Sequence, residues 1–491
     1  MLFMTLVPSP PRPSSGSKAF WLLLCLLPLF MGCDAFRKAQ TDPSYEPNED
    51  GTLDEIQGTR VYDPELGRWV VIDTAPKEKM DTIQWTNIPE TQVPPITSEG
   101  MDVPLPIDRT GGEKLNSYQI AVMLPFLTKR LANDDQEISN NVSMWSVNFY
   151  AGMQLAMRKL DQEGLALDVS VMDTEASPDL MDRMLNNRAD IRNAQLIIGP
   201  YRRDNIRKAA DFAKQENIVL VSPYSASDNL TEDNPNFIQV SPTLRTHCTS
   251  LINHALAEFA PSDIVMVTRN VEIEKQCLEM MREAYYTSVG TRMPEELLNE
   301  YIIPHAEAPY EDIDLFPIVE GREEVAFVIP SWADETFVYS FLRELDGVRT
   351  RDQRIVVYGM PQWVNYQHID YDYYERFHVR VSSNTYLDRT SVEVEDFQRA
   401  YFEEYGTLPM DAAYLGYDIA LYFGRLMTEY GLNFQNVLDR NPADMLHTRF
   451  NFQPVVDPKA SGAETMRIER YENQHVNILE FRDYQFSKLD R

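Results

Sequence analysis

Residues 196–229 read LIIGPYRRDNIRKAADFAKQENIVLVSPYSASDN, and this stretch decides the fold class. It begins with three apolar residues that stop at Gly199-Pro200, as a short buried strand would. From Asp204 onward apolar residues recur at helical spacing, and a second apolar run ends at Ser222-Pro223. The order strand, helix, strand predicts a βαβ unit with parallel strands. Because open α/β sheets bind ligands at the carboxyl ends of their strands, a binding site is expected in the loops at 199–203 and 222–228.

The same alternation continues from residue 118 to about residue 481. Apolar runs predict strands at 118–124, 167–172, 263–267, 325–329 and 354–358, with amphipathic helices between them. Two successive sets of βα units predict an α/β protein with two similar lobes and parallel sheets. Near the end, residues 466–470 and 476–480 alternate in polarity, and the residues at 471–475 predict a hairpin turn between them.

The amino terminus has the features of an export signal. Lys18 precedes an apolar segment at 19–30 that is short for a membrane span, and the segment is followed by Met31-Gly32-Cys33. This pattern resembles a bacterial lipoprotein signal, although Phe30 stands where leucine is usual. The resemblance implies a signal peptide at 1–33 and lipidation at Cys33; an ordinary signal peptide with a chance cysteine is the alternative. The expected location is the cell envelope, anchored by lipid and facing the periplasm, with the outer membrane of a Gram-negative bacterium favoured over the inner one.

Residues 34–117 are predicted to form an acidic, proline-containing tether. They hold 17 acidic and 8 basic side chains and few apolar runs, so they cannot bury enough apolar surface to offset the entropy of ordering. One island differs: at 60–72 two β-prone runs flank a Pro/Gly turn, which predicts a small hairpin that docks on the main body.

Charge and cysteine content exclude some functions. The formal net charge of −31 argues against binding nucleic acid through a basic face. The four cysteines have no zinc-site spacing, and no metal is expected. Cys248 and Cys277 in the folded part form either one disulfide or two buried free thiols.

Several short motifs, in this order, resemble those of the type 1 periplasmic solute-binding proteins, the family of the branched-chain amino-acid receptors. They are Tyr150-Ala151-Gly152-Met153, Asp173-Thr174, Ile198-Gly199-Pro200, the run at 221–227, and Gly416-Tyr417-Asp418. The resemblance implies two Rossmann-like lobes with parallel central sheets, joined by three crossovers and closing on a ligand in the cleft. The first lobe is expected at 118–244 plus about 388–432, and the second at 245–387 plus about 433–491.

One departure from the family concerns the ligand. Members that bind amino acids usually carry a serine shortly after the Gly-Pro pair, but here Tyr201-Arg202-Arg203-Asp204 follows. Two arginines at a helix amino terminus favour an anion; the alternative is that both lie on a solvated face and pair with acids. The candidate ligand-binding residues follow predicted strands: Arg202, Arg203, Ser222, Tyr224, Ser225 and Ser227 in the first lobe, and Ser331, Trp332, Met360 and Trp363 in the second.

The sequence favours a binding protein over an enzyme. The seven histidines show no HExxH spacing, and the chain has no GxSxG elbow, P-loop or GxGxxG after the first strand. The expected function is a lipid-anchored receptor that closes on a small polar or anionic ligand without a cofactor and works with a transporter permease or as a sensor. The chain is also similar to the outer-membrane lipoproteins that activate penicillin-binding proteins, which implies a peptidoglycan synthase as the alternative partner.

Overall fold

The computed structural model describes residues 58–73, 111–129, 141–290, 296–310, 313–456 and 467–489. The predicted signal peptide, the predicted lipidation site at Cys33 and most of the predicted tether lie outside these residues. Within the described ranges, no helix combines the length and apolar character needed to cross a bilayer.

The described chain alternates strands and helices as the sequence predicts. The strands are β1 Gly58–Asp63, β2 Arg68–Asp73, β3 Tyr118–Leu124, β4 Leu167–Asp173, β5 Leu196–Ile198, β6 Val219–Ser222, β7 Phe237–Gln239, β8 Ile264–Arg269, β9 Asn299–Ile303, β10 Glu324–Val328, β11 Arg354–Gly359, β12 Arg380–Ser383, β13 Ala443–Asp444, β14 Arg449–Phe450, β15 Phe452–Val456, β16 Ile468–Asn473, β17 Asn477–Arg482 and β18 Gln485–Lys488. The α-helices are α1 Asn141–Gln162, α2 Pro178–Asn187, α3 Ala189–Arg192, α4 Arg203–Glu216, α5 Leu244–Leu256, α6 Glu272–Val289, α7 Phe316–Val319, α8 Glu335–Val348, α9 Tyr371–Arg376, α10 Val392–Tyr405 and α11 Asp411–Tyr430. Short 3-10 helices lie at Pro261–Asp263, Pro361–Asn365 and Gly431–Arg440.

The first sheet has seven strands in the order β15-β16-β7-β6-β5-β3-β4, and all but β15 run parallel. The central strands β3, β5 and β6 are mostly apolar on both faces, as expected for strands that helices cover on both sides. In β3, Ile120, Val122 and Leu124 pack in the core with α1 and α11, while Ala121 and Met123 pack in the core with α2 and α4. Alternate side chains of β3 therefore point to opposite faces of the sheet, and each face packs against its own pair of helices.

The second sheet has nine strands in the order β18-β17-β12-β11-β10-β8-β9-β1-β2. The strands from β12 to β1 run parallel, and an antiparallel strand or pair closes each side. The segment at 60–72 lies here: β1 and β2 form a hairpin, and β1 pairs with β9. Tyr62 packs edge-on against Trp69 within the hairpin and against Tyr301 of β9. The tether therefore supplies two strands to the second lobe.

Three crossovers connect the two sheets. The chain leaves the first sheet after β7, returns after β12 and leaves again between β16 and β17. The last crossing differs from the sequence-based expectation, which placed residues 433–491 in the second lobe and a hairpin turn at 471–475. Instead β16 pairs with β7 of the first sheet and β17 with β12 of the second. An alternating strand pattern fixes which faces are apolar but not which strand becomes the neighbour.

The family-like motifs at 150–153 and 416–418 meet where α1 crosses α11. A Cβ on Gly152 would overlap the carbonyl oxygen of Ala413, and a Cβ on Gly416 would overlap that of Phe149. The two glycines thus let the helices approach closely, so these motifs have a packing role. Asp418, fully buried on α11, accepts hydrogen bonds from the backbone N–H groups of Leu446 (3.0 Å) and His447 (3.2 Å).

The two cysteines of the folded part are buried free thiols on neighbouring helices, Cys248 on α5 and Cys277 on α6. Contact with the Cys277 side chain and burial both raise the pKa of Cys248. Among the described residues, no group of three or more His, Cys, Asp or Glu side chains is placed to hold a metal ion.

Candidate ligand-binding site

The first lobe ends its strands at a common edge, because β3, β4, β5 and β6 run parallel. The β5 loop comes close to β3 at Gly199. Its φ is +97°, and a Cβ there would overlap the carbonyl oxygen of Met123, so only glycine fits. The edge is thus a tightly packed set of loops.

Asp173, the last residue of β4, organises one part of this edge. Its carboxylate accepts hydrogen bonds from the backbone N–H groups of Leu127 (3.2 Å), Thr128 (2.7 Å) and Glu175 (2.8 Å). Burial acts to raise the pKa of Asp173, but the hydrogen bonds from Thr128 and Glu175 lower it below the ordinary value. The Asp173 carboxylate therefore holds the loops after β3 and β4 together, and these backbone N–H groups already occupy most of its hydrogen-bonding positions.

Three other polar side chains at this edge are buried without a partner. Thr174 follows β4, Asn205 lies in the first turn of α4, and Ser222 ends β6; each is at most 1% exposed. The hydroxyl oxygens of Thr174 and Ser222 and both polar atoms of Asn205 have no hydrogen-bond partner within the described chain. Such groups usually find a partner, so this edge holds bonding capacity that the protein does not use.

An aromatic group stands beside these polar residues. Tyr201, from the β5 loop, stacks on Tyr224, from the β6 loop, with ring centres 4.1 Å apart and planes at 22°. Trp145 of α1 packs against both, at 4.9 Å from Tyr201 and 5.6 Å from Tyr224. Burial and the Tyr224 hydroxyl raise the pKa of Tyr201, so it stays a neutral phenol. Tyr224 remains 48% exposed and offers an aromatic surface at the edge.

The two predicted arginines lie at the amino terminus of α4 and are exposed. Arg202 is the N-cap residue, and no side chain caps the helix. Arg203 donates to the side-chain oxygen of Asn229, so one of the two is engaged by the following loop rather than by an acid. Within the described residues neither arginine forms an ion pair with a carboxylate, unlike Arg207, which lies 4.0 Å from Asp204.

The loop at 222–229, which we call the serine loop, carries four predicted residues. Ser225 and Ser227 are held through their backbones, since both carbonyl oxygens accept from the side-chain amide of Gln239 at 3.0 Å. The hydroxyl of Ser225 accepts from the backbone N–H of Ser227 at 3.4 Å. The structure therefore brings all six first-lobe candidates to the same edge, on the β5 and β6 loops.

The four second-lobe candidates follow β10 and β11 and divide into two groups. Ser331 is fully buried and its hydroxyl has no partner within the described chain, while Trp332 is half-buried. Met360 and Trp363 are instead buried in the second-lobe core. The indole N–H of Trp363 donates to the Ser331 carbonyl at 2.7 Å, and its ring stacks with Tyr366 and Tyr374. Met360 and Trp363 thus pack in the core beneath the loops at the strand ends, and their side chains do not line the surface of that edge.

The sequence did not single out Arg269, which ends β8 at the centre of a buried charge network. Its guanidinium group contacts Glu274 at 2.6 Å, Asp334 at 2.7 Å and the Tyr310 hydroxyl at 3.1 Å. Burial opposes the charge, but Glu274 and Tyr310 raise the pKa of Arg269 above its ordinary value. The available signal was a charged residue two positions after the apolar run at 264–267, near the carboxyl end of a predicted strand.

Tyr366 adds a further unused group to the second-lobe edge. Its hydroxyl is buried without a partner within the described chain. Burial, and then the negative charges of Glu335 and Asp334, raise its pKa, so it is a neutral donor. Ser331 and Tyr366 therefore resemble Thr174, Asn205 and Ser222 of the first lobe.

A groove of about 1670 Å³ lies elsewhere, between α1, α10, α11 and the antiparallel pair β17–β18. Arg158, Tyr417, His447 and Arg482 are among its lining residues. Arg158 pairs with Glu404 and Arg482 pairs with Glu480, so the strongest charges there are already matched. The unused polar groups favour the strand edges over this groove as the binding site.

Comparison with solved structures shows which fold this arrangement belongs to. A structure described as a branched-chain amino acid ABC transporter from Rhodospirillum rubrum matches with a TM-score of 0.55 and 15% identity, over 76% of this chain and 100% of that one. The fold is that of the type 1 periplasmic binding proteins. A substrate-binding protein of an ABC transporter from Desulfitobacterium hafniense, in complex with Leu, also matches with a TM-score of 0.48 and 17% identity, over 76% and 100% of the two chains. No protein-family model and no curated protein matches the sequence. In this chain, Thr174, Ser222 and Ser331, whose hydroxyl groups have no partner within the described residues, lie at or just after the carboxyl ends of parallel strands.

Proposed function

We propose that this protein is a non-catalytic receptor whose two lobes close on a small polar or anionic ligand at the strand edges. The observation that carries the proposal is the set of buried polar groups without partners at both edges: Thr174, Asn205 and Ser222 in the first lobe, and Ser331 and Tyr366 in the second. Each costs about 1–3 kcal/mol when unsatisfied, so a ligand that forms hydrogen bonds with these groups at the strand ends would stabilise the protein.

Charge supports an anionic group on the first lobe. Helix α4 presents its first backbone N–H groups without a side-chain cap, and Arg202 stands at that end without a carboxylate partner among the described residues. Both features attract negative charge.

We propose lipidation at Cys33 and a position facing the periplasm, where the receptor would pass its ligand to a transporter permease or act as a sensor. Support comes from the signal-like residues at 18–33 and from the acidic tether. Because β1 begins at Gly58, residues 34–57 link Cys33 to the second lobe. At roughly 5–6 Å × √n, a flexible chain of that length averages about 25–29 Å, which would hold the lobes a short distance from a membrane surface.

A thermal-shift screen tests the receptor function. Amino acids, peptides, muropeptides and nucleotides would each be added at millimolar concentration, and at least one class is expected to raise the unfolding midpoint. Ser222→Ala should raise the midpoint of the free protein and lose the ligand-induced shift, because alanine removes a buried hydroxyl that has no partner within the described chain. A screen in which no class stabilises the protein would count against the proposal.

An interaction module that regulates peptidoglycan synthesis is the second candidate. It is favoured by exposed apolar side chains around the connection between α10 and α11, namely Phe402, Leu408 and Met410. A pull-down from detergent-solubilised envelope should then recover a synthase or hydrolase with the wild type and less of it with Leu408→Asp. Recovery of neither enzyme would contradict this candidate.

A further inference from the structure

The serine loop is held from behind by side chains of the first crossover and of β16. Besides the two bonds from Gln239 to Ser225 and Ser227, Ser241 donates to the Pro223 carbonyl at 3.4 Å, and Arg470 donates to the Asp228 carbonyl at 3.1 Å. Four backbone carbonyls of one eight-residue loop are therefore fixed by three side chains. Gln239 ends β7, directly before the chain crosses to the second lobe.

Arg470 continues this chain of contacts toward the second lobe. Its other terminal nitrogen donates to Glu472 at 3.0 Å, and both side chains are buried, at 8% and 2% exposure. A buried ion pair is retained only where further hydrogen bonds satisfy it. Here they come from the amino terminus of α5.

Glu472 accepts hydrogen bonds from two threonines at the amino terminus of α5. One carboxylate oxygen accepts from the backbone N–H of Thr243 (2.9 Å), from its hydroxyl (2.8 Å) and from the hydroxyl of Thr246 (2.6 Å). Thr243 is the N-cap of α5, and α5 packs in the second-lobe core through residues such as Leu251 and Ile252. Glu472 itself belongs to the first sheet, where it pairs with Gln239. The carboxylate therefore joins the two lobes at the crossover.

We propose that Gln239, Arg470 and Glu472 are positioning residues that couple the conformation of the serine loop to the orientation of α5. A ligand that fixes the serine loop thereby favours one lobe angle, and a change of lobe angle reshapes the loop. The coupling to ligand rests on the proposed function, whereas the link between loop and helix stands on the contacts alone. A bistable hinge needs such a connection if binding at one lobe is to shift its equilibrium.

Hydrogen–deuterium exchange of the full chain without ligand tests the link. Thr243→Val removes a hydroxyl that touches only the crossover side, yet the amides at 224–229 are expected to exchange about fivefold faster, the effect of one lost hydrogen bond. In the Arg470→Met background, the same substitution should add nothing to the exchange of the loop. Arg467→Met is the matched control, since it removes an exposed pair with Asp233 near the same strand and should leave the loop unchanged.

Because Thr243→Val also weakens the helix cap, Thr246→Val is the second variant: it removes the 2.6 Å bond to Glu472 and leaves the N-cap in place. Unchanged loop exchange in both variants, or equal effects with and without Arg470, would overturn the proposal. The measurement uses no ligand, so a failed ligand screen leaves its outcome intact. If a ligand stabilises the protein but the serine loop and α5 exchange independently, the receptor function is supported and the proposed coupling between loop and helix is contradicted.

Discussion

Replacing Asn205 by leucine should stabilise the protein in the absence of ligand. Asn205 is fully buried in α4, and neither polar atom of its amide has a hydrogen-bond partner within the described chain. An unsatisfied buried group costs about 1–3 kcal/mol, and leucine has the same branching and number of side-chain heavy atoms without that penalty. The free energy of unfolding should therefore rise by about 1–3 kcal/mol, which is about 2–4 °C in the unfolding midpoint for each kcal/mol in a lobe of this size. Differential scanning calorimetry of the first-lobe transition measures it.

Asn234 provides the matched control, because it is equally buried but satisfied. Its amide donates to the Ala210 carbonyl at 3.1 Å and accepts from the backbone N–H of Asn236 at 3.2 Å. Asn234→Leu should therefore lower the free energy of unfolding by at least about 2 kcal/mol. If Asn205→Leu destabilises the protein to the same extent, the Asn205 amide has a structural partner such as an ordered water, and the argument for a ligand-directed group is refuted.

Three further outcomes are expected. Gly416→Ala should destabilise the first lobe by about 1–3 kcal/mol in urea unfolding, because a Cβ there overlaps the Phe149 carbonyl, whereas Gly347→Ala, which meets open space, should be neutral or slightly stabilising. Arg269→Met should cost about 3–5 kcal/mol by leaving the buried Glu274 and the half-buried Asp334 without a cation, while Arg399→Met at an exposed pair should cost less than about 1 kcal/mol in the same assay. Burial lowers the pKa of His247 from its ordinary value near 6.5 to about 4, so the folded state binds fewer protons than the unfolded state. The free energy of unfolding should therefore be highest above pH 6.5 and fall by up to about 3 kcal/mol as the pH drops to 4. His247→Leu should make this decline shallower in pH-dependent unfolding, and an unchanged slope would contradict the prediction.

The sequence predicted the architecture well because buried parallel strands and amphipathic helices leave a clear periodic pattern. The strand–helix–strand unit at 196–222 follows from apolar runs and turn residues alone, whereas the crossing near residue 244 was implied by the resemblance to the family. The pairing of β16 and β17 could not be predicted in this way. Both strands alternate in polarity and are separated by a few polar residues, but they belong to different sheets, and the neighbours of a strand are decided by tertiary packing.

The sequence predicted which residues lie near the strand ends, but not whether their side chains are exposed, buried or paired. A residue after a strand lies near the edge, yet the 3-10 turn at Pro361–Asn365 directs Trp363 into the core. Arg269 depends on Asp334, 65 residues later, and no local pattern links the two. Asn205 had a local signal: it precedes Ile206 and lies four residues before Ala209 on the apolar stripe of α4, where a polar side chain is unexpected.

The distance between the lobes is the measurement that tests the central claim most directly. Spin labels at Gln215 of α4 and Arg343 of α8, two exposed positions on different lobes, would report it by pulsed electron spin resonance. With the compound that stabilises the protein most in the thermal-shift screen, the account predicts a single, shorter and narrower distance distribution than in the free protein, and no such change in Ser222→Ala. A distribution that the stabilising compound leaves unchanged would contradict closure of the lobes on a ligand.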